Sequence, residues 1–260
     1  MPERDGPLDR TLARVTGASA RGIQLVAVRR DDAGEEWIAA PEIARADGPL
    51  DGMVAGAARQ AGTPLATVGA QWLLERYAWQ LGALTAATLV ADTRVPDLAP
   101  ERIVLGCWEG LPWGVGLRGE RLYGVDEDPD AGAGVTGVGS EPVLVAHARR
   151  GLVDHLRPLV AALVVRRLRP RGALWRTAGD RVAQGFLWAG AAFEREPLAE
   201  RLARQLLEAP SLLRVEVRFA PGRDGDRVHL RSSCCLNHRV DRTLCAGCPL
   251  VHLRESPVSS

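Results

Sequence analysis

The chain of 260 residues contains no lysine. All 33 of its basic residues are arginine, spread through every segment, so the absence reads as a composition effect and carries no ligand inference. Against 32 acidic residues they leave a net charge of +1, and no global field of either sign argues for nucleic acid or a membrane surface. Tyrosine and phenylalanine are scarce, two and three, beside seven tryptophans. Long apolar runs are missing as well: Leu81 to Ala91 is too short for a bilayer and Leu159 to Val165 runs into Arg166 and Arg167, so no stable membrane insertion is expected. Met1 to Arg10 is charged and lacks the apolar core of a secretory signal, which makes the cytoplasm the expected compartment, where thiols stay reduced. No Ser-His-Asp set and no pair of carboxylates stands out.

Cysteine is scarce too, five residues, yet Cys234, Cys235, Cys245 and Cys248 fall within fifteen positions of one another. Thiols packed this closely read as a metal site. Cys245-x-x-Cys248 is a chelating loop that Gly247 allows to bend, and Cys234-Cys235 supplies the other pair. Neighbouring side chains of an extended segment face opposite ways, so a vicinal pair converges poorly on one tetrahedral zinc, which usually draws on two Cys-x-x-Cys knuckles. A binuclear cluster relaxes that demand, because each iron is a separate attachment point taking two thiolates. The reading is a 2Fe-2S cluster, with structural zinc and a redox disulfide as alternatives. His238 inside the loop and His252 beyond it are possible substitutes for a thiolate, although four cysteines already complete the ligand count. Arg231, Arg239 and Arg242 flank the loop, as solvated surface or as charge that offsets the thiolates and offers an acidic redox partner a docking patch. Cys107 ends a predicted strand, reads as a buried core residue and is left out of the site.

The order Cys-Cys, spacer, Cys-x-x-Cys-Pro resembles the C-terminal signature of the FhuF-like siderophore-iron reductases. The spacer, Leu236 to Leu244, has nine residues, one fewer than the family pattern. A weaker resemblance extends over most of the chain, through Trp72-Leu-Leu-Glu-Arg-Tyr-Ala-Trp79 and Ala173-Leu-Trp-Arg-Thr-Ala-Gly-Asp180. It implies a cytoplasmic ferric-siderophore reductase that carries a 2Fe-2S cluster on Cys234, Cys235, Cys245 and Cys248. The implied partners are a ferric siderophore and an electron donor such as a ferredoxin or flavin system. The chemistry is coherent: hard oxygen donors hold Fe(III) far more tightly than Fe(II), so one electron makes a near-permanent complex labile. Two readings lie outside the family. One is a non-enzymatic siderophore-handling or scaffold protein with a four-cysteine zinc site, the other a ferredoxin-like electron carrier.

Hydrophobic periodicity predicts an α+β fold, mostly helical with short antiparallel strands and a C-terminal hairpin leading into the cysteine loop. Helices are expected over residues 8–17, 49–61, 64–91, 141–168 with a break or kink at Pro158, 172–193 and 197–208. A strand is expected over 23–28, a meander over 103–107, 113–118 and 121–125, and further strands over 212–219 and 226–232 around the turn Pro221-Gly-Arg-Asp-Gly225. Residues 126–140, acidic and then glycine-rich, read as a linker. Gly132, Gly134 and Gly137 match GxGxxG formally, but no apolar strand leads in and no Gly-Lys-Ser/Thr follows. The linker would separate an N-terminal α+β part (1–125) from a helical part (141–231). Residues 232–260 would be the cluster-binding segment, and the two larger parts together the siderophore-binding region. His147 and His155, eight apart, are a lesser candidate for a metal pair. Trp72, Trp79, Trp175 and Trp188 are expected in the core, and Trp108 and Trp113 are expected to line a ligand cleft.

Overall fold

The computed structural model describes residues 6–20, 22–30, 36–222, 226–241, 244–245 and 247–251. In chain order its elements are α1 (Pro7–Gly17), β1 (Ser19–Ala20), β2 (Ile23–Gln24), β3 (Ala27–Arg29), β4 (Trp37–Ala39), α2 (Ala40–Ile43), α3 (Leu50–Gln60), α4 (Ala66–Asp92), β5 (Arg94–Pro96), β6 (Ile103–Trp108), β7 (Leu111–Leu117), β8 (Leu122–Gly124) and β9 (Val135–Gly137). They continue as α5 (Glu141–Val165), α6 (Arg171–Ala192), α7 (Glu196–Leu207), β10 (Phe219–Pro221) and β11 (Arg227–His229). The α+β class is as expected, and most of the regular structure is helical.

Helix α4 is the axis of the molecule. Its alanines and leucines face inward all round, because α1, α3, α5, α6 and β7 pack about it. Its contact with α6 is the most extensive between elements and has a visible cause. A Cβ on Gly82 would lie 2.7 Å from Val182 Cα, and one on Gly185 would lie 2.6 Å from Ala83 N, so the two backbones meet where both side chains are absent. Helix α5 runs unbroken through Pro158. The proline sits on the exposed face beside exposed Asp154, while Leu156, Leu159, Val160 and Leu163 stay buried.

The strands form small mixed sheets, in the orders β3-β7-β6-β4 and β5-β8-β9, with β3/β7 and β8/β9 parallel. β6 and β7 are the expected hairpin, but the third strand of the expected meander, β8, leaves it to pair with β5. The expected strand over 23–28 divides into β2 and β3. Residues 126–140 carry β9, and Asp128 accepts two 2.7 Å hydrogen bonds from the buried guanidinium of Arg94, the first residue of β5. Toward the C-terminus, Leu213, Val215 and Val217 are buried alternately as a strand requires. Their hydrogen bonds, however, go to α7 and its end, from Val215 N to Leu207 O and from Val217 N to Glu208, so the ladder begins only at β10. β10 and β11 then pair antiparallel. The centre of the turn between them lies outside the described residues. No described helix is long and apolar enough to cross a membrane.

Candidate metal centre

A single carboxylate aims the chain into the cysteines. Asp180 of α6 is completely buried, and it accepts hydrogen bonds from Ser232 N (3.0 Å), Ser232 Oγ (3.0 Å), Ser233 N (2.8 Å), Ser233 Oγ (2.6 Å) and His229 Nε2 (3.1 Å). Burial works to raise its pKa, but the His229 bond and then the serine donors outweigh it, and the carboxyl stays below the ordinary range. Cys234 follows immediately. A second support comes from α4, where buried Glu75 pairs through one oxygen with Arg231 and through the other with Arg181. Burial pushes Glu75 up and the two guanidinium charges more than reverse the effect, leaving it below the ordinary carboxylate range. Gln71 donates to Glu75 (2.9 Å) and to Thr177 (3.0 Å), and Thr177 donates to Ser233 (3.2 Å). One buried network thus joins α4, α6 and the residues just before the vicinal pair.

Within the loop the vicinal thiols diverge, as neighbouring side chains should. Cys234 Sγ lies 3.5 Å from His238 Nδ1, and Cys235 Sγ shares a hydrogen with Cys245 Sγ at 3.3 Å. Leu236, next in line, takes a left-handed backbone (φ 65°) that reverses the chain and drops its side chain onto Ala61, Val68 and Trp72. Gly247 (φ 71°) closes the other side. Its carbonyl accepts Arg231 N at 2.9 Å, and a Cβ there would stand 2.1 Å from His229 O. The Cys235–Cys245 pair gives up one proton readily, because the remaining S–H donates to the thiolate, the Asn237 amide donates to it and Arg231 lies beside it. The second proton is held, since a second thiolate would face the first, with burial and nearby Cys248 adding to the cost.

All four loop cysteines are free. The donor set therefore suits a thiolate-bound metal group: four thiols in one loop, a thiolate already favoured and arginine charge close by. Among the described residues, no group of three or more His, Cys, Asp or Glu is gathered as a metal cage. Arg169, its own pKa lowered mainly by burial, feels the charge of Cys234 and of Arg239, so cations line more of the loop than the sequence suggested. Arg242 and His252 lie outside the described residues. Cys107 is away from the site, its thiol pushed up to about 12 by burial. His147 and His155 are not brought together. His147 stacks on Tyr123 at 4.1 Å, and His155 bridges Tyr77 and Leu98 in the core.

The tryptophans correct one expectation. Trp175 and Trp188 are core, but Trp72 and Trp79 are only half-buried and line a cleft of about 360 Å³ with Arg76, Glu75, Arg181 and Asn237. Trp108 is 63% exposed, and Trp113 packs edge-on against Trp37 with ring centres 5.2 Å apart. Helical spacing alone placed Trp72 and Trp79 on a well-packed helix. It could not show that α6 and the cysteine loop leave their edges open.

Residues 70–226 match the family described as ferric iron reductase FhuF-like transporter. The chain belongs to this family. The match takes in Glu75, Thr177 and Asp180 and ends before Cys234, so membership associates the chain with iron handling through its helical body, independently of the cysteines. No curated protein matches the chain. Among solved structures, ATP-bound aerobactin synthetase IucA from a hypervirulent pathotype of Klebsiella pneumoniae is similar at 17% identity and a TM-score of 0.52, over 67% of this chain and 32% of that one. Aerobactin synthetase IucC from the same pathotype is similar at 16% identity and a TM-score of 0.48, over 70% of this chain and 34% of that one. The chain spans about a third of the length of these synthetases, and its likeness to IucA is one of fold.

Proposed function

We propose that the protein is a cytoplasmic ferric-siderophore reductase, with residues 232–260 as its cluster-bearing segment and the preceding body as its siderophore-binding region. The observation that carries this reading is the loop itself, which holds Cys234, Cys235, Cys245 and Cys248 free, brings Cys235 Sγ within 3.3 Å of Cys245 Sγ and is tied by Asp180 and Glu75 to the helices of a family described as ferric iron reductase. Those four cysteines would hold a 2Fe-2S cluster, which supplies one electron at a time when bound. Arg231 and Arg169 offset the thiolate charge, a direction that favours accepting an electron. The Asp180 and Glu75 anchors keep the loop in one geometry through the redox cycle. The substrate Fe(III) takes the electron and becomes Fe(II), and its hard oxygen ligands then release it. A reduced ferredoxin or flavin system restores the electron. Anaerobic purification followed by iron and acid-labile sulfide analysis tests the assignment. Two of each per chain are expected, with loss in Cys245→Ser and Cys248→Ser and none in Cys107→Ser. A colourless protein with one zinc would replace the cluster by a structural site.

A further inference from the structure

The cleft on α4 is chemically unlike the rest of the surface. Trp72 and Trp79 give it two aromatic walls, Arg76 and Arg181 give it cations, and Asn237 of the cysteine loop forms its rim. Glu75 is the acid within it, and both of its oxygens are already taken by Arg181 and Arg231. Arg76 and Arg181 against the single carboxylate of Glu75 leave the lining of the cleft with positive charge in excess. Arg76 is exposed and pairs with no acid among the described residues, and Arg181 keeps a buried Nε without a partner. The cleft also adjoins the thiols: Trp72 and Cys234 pack on the small apolar cluster that contains Leu236, and Asn237 follows two residues after Cys235.

We propose that this cleft receives a ferric chelate of net negative charge, an inference that rests on the reductase reading. Trp72 and Trp79 lie against the organic arms of the chelate, and Arg76 and Arg181 face its anionic oxygens. At about 360 Å³ the cleft is at the small end of ligand sites, so it takes one face of the chelate and leaves the other in water. Docking on Trp72 brings the iron to the side of the molecule where the loop lies, as transfer of one electron requires.

The test uses gallium(III) chelates, because gallium(III) cannot be reduced and binding is read apart from electron transfer. Full-length protein is titrated by calorimetry with the gallium complex of a hexadentate tris-catecholate, which is anionic, and with that of a hexadentate tris-hydroxamate, which is neutral. The anionic complex is expected to bind about tenfold more tightly. Arg76→Glu, at an exposed position that leaves the core intact, is expected to weaken the anionic complex about tenfold and the neutral one little. Trp79→Phe is expected to weaken both. No binding of the anionic complex, or an Arg76→Glu variant with unchanged affinity, overturns the proposal. Gallium binding that depends on Arg76, in a protein that passes no electron to the ferric complex, keeps the cleft and removes the reductase reading. Ferric reduction unaffected by Arg76→Glu removes the cleft and keeps the reductase.

Discussion

Asp180 holds two consecutive residues by both amide and hydroxyl and a histidine besides, so the direction in which Cys234 enters the loop depends on one carboxylate. Asp180→Asn turns one acceptor oxygen into a donor facing other donors, and a loss of about 1–3 kcal/mol is expected in urea unfolding. Faster reaction of the loop thiols with a disulfide reagent should accompany it, and a variant that changes neither would show that the anchor is dispensable. His155 acts at a distance from the site. A carbonyl can only accept, so Nδ1 carries the hydrogen toward Leu98 O (2.8 Å), and Nε2 accepts from the Tyr77 hydroxyl (2.7 Å). Burial lowers its pKa to about 4, against the pull of Leu98 and Glu101. The unfolded chain takes a proton near pH 6.5 that the folded chain refuses, so stability is fully present above about 6.5 and falls as pH drops toward 4, by about 3 kcal/mol. His155→Gln should flatten urea midpoints across that window, and an unchanged slope would contradict the assignment. None of this was legible residue by residue. Asp180 and Glu75 stood in segments noted for their aromatic and apolar residues, and a buried carboxylate becomes visible only when distant donors, such as Ser233 fifty-three positions after Asp180, fold onto it.

Among the elements, the crossing of α4 on α6 depends on two glycines that meet across it. Gly185→Ala should force the helices apart at an expected cost of about 1–3 kcal/mol in thermal or urea unfolding, and a neutral result would mean that the crossing yields easily. In the loop, Gly247→Ala is strained twice, by its left-handed backbone and by the His229 carbonyl. Iron content below wild type with an unchanged helical spectrum is the expected outcome. Helix positions were legible because each long helix carries its own apolar periodicity between proline or glycine boundaries, and α4 betrayed its central place by being apolar on every side. Strand partners were not. A three-residue strand such as β8 has too few side chains to specify a neighbour, and the Leu213-Val215-Val217 alternation records burial on α6 and α7 rather than a ladder. Pro158 misled for a related reason, since its helix is secured by packing along the buried face.

At the scale of the whole molecule, the helical body and the cysteine loop form one unit, joined by the Glu75 and Asp180 networks and by Leu236 on Trp72. The family match covers residues 70–226, from α4 to the turn before β11, and the thiols lie just beyond it. Spacing alone marked the four cysteines as a candidate metal site, whereas the cleft beside them was not legible, because its walls come from α4 and its rim from residue 237. The central claim is that the loop passes single electrons to iron bound by the body. Its most direct test is an anaerobic mixing experiment in which chemically reduced full-length protein meets a ferric siderophore and a ferrous chelator, with the protein's visible absorbance and the Fe(II) complex followed together. Reoxidation in step with Fe(II) appearance is expected, one electron per iron. Reduced protein that keeps its electrons before every ferric siderophore, while passing them readily to another protein, would contradict it.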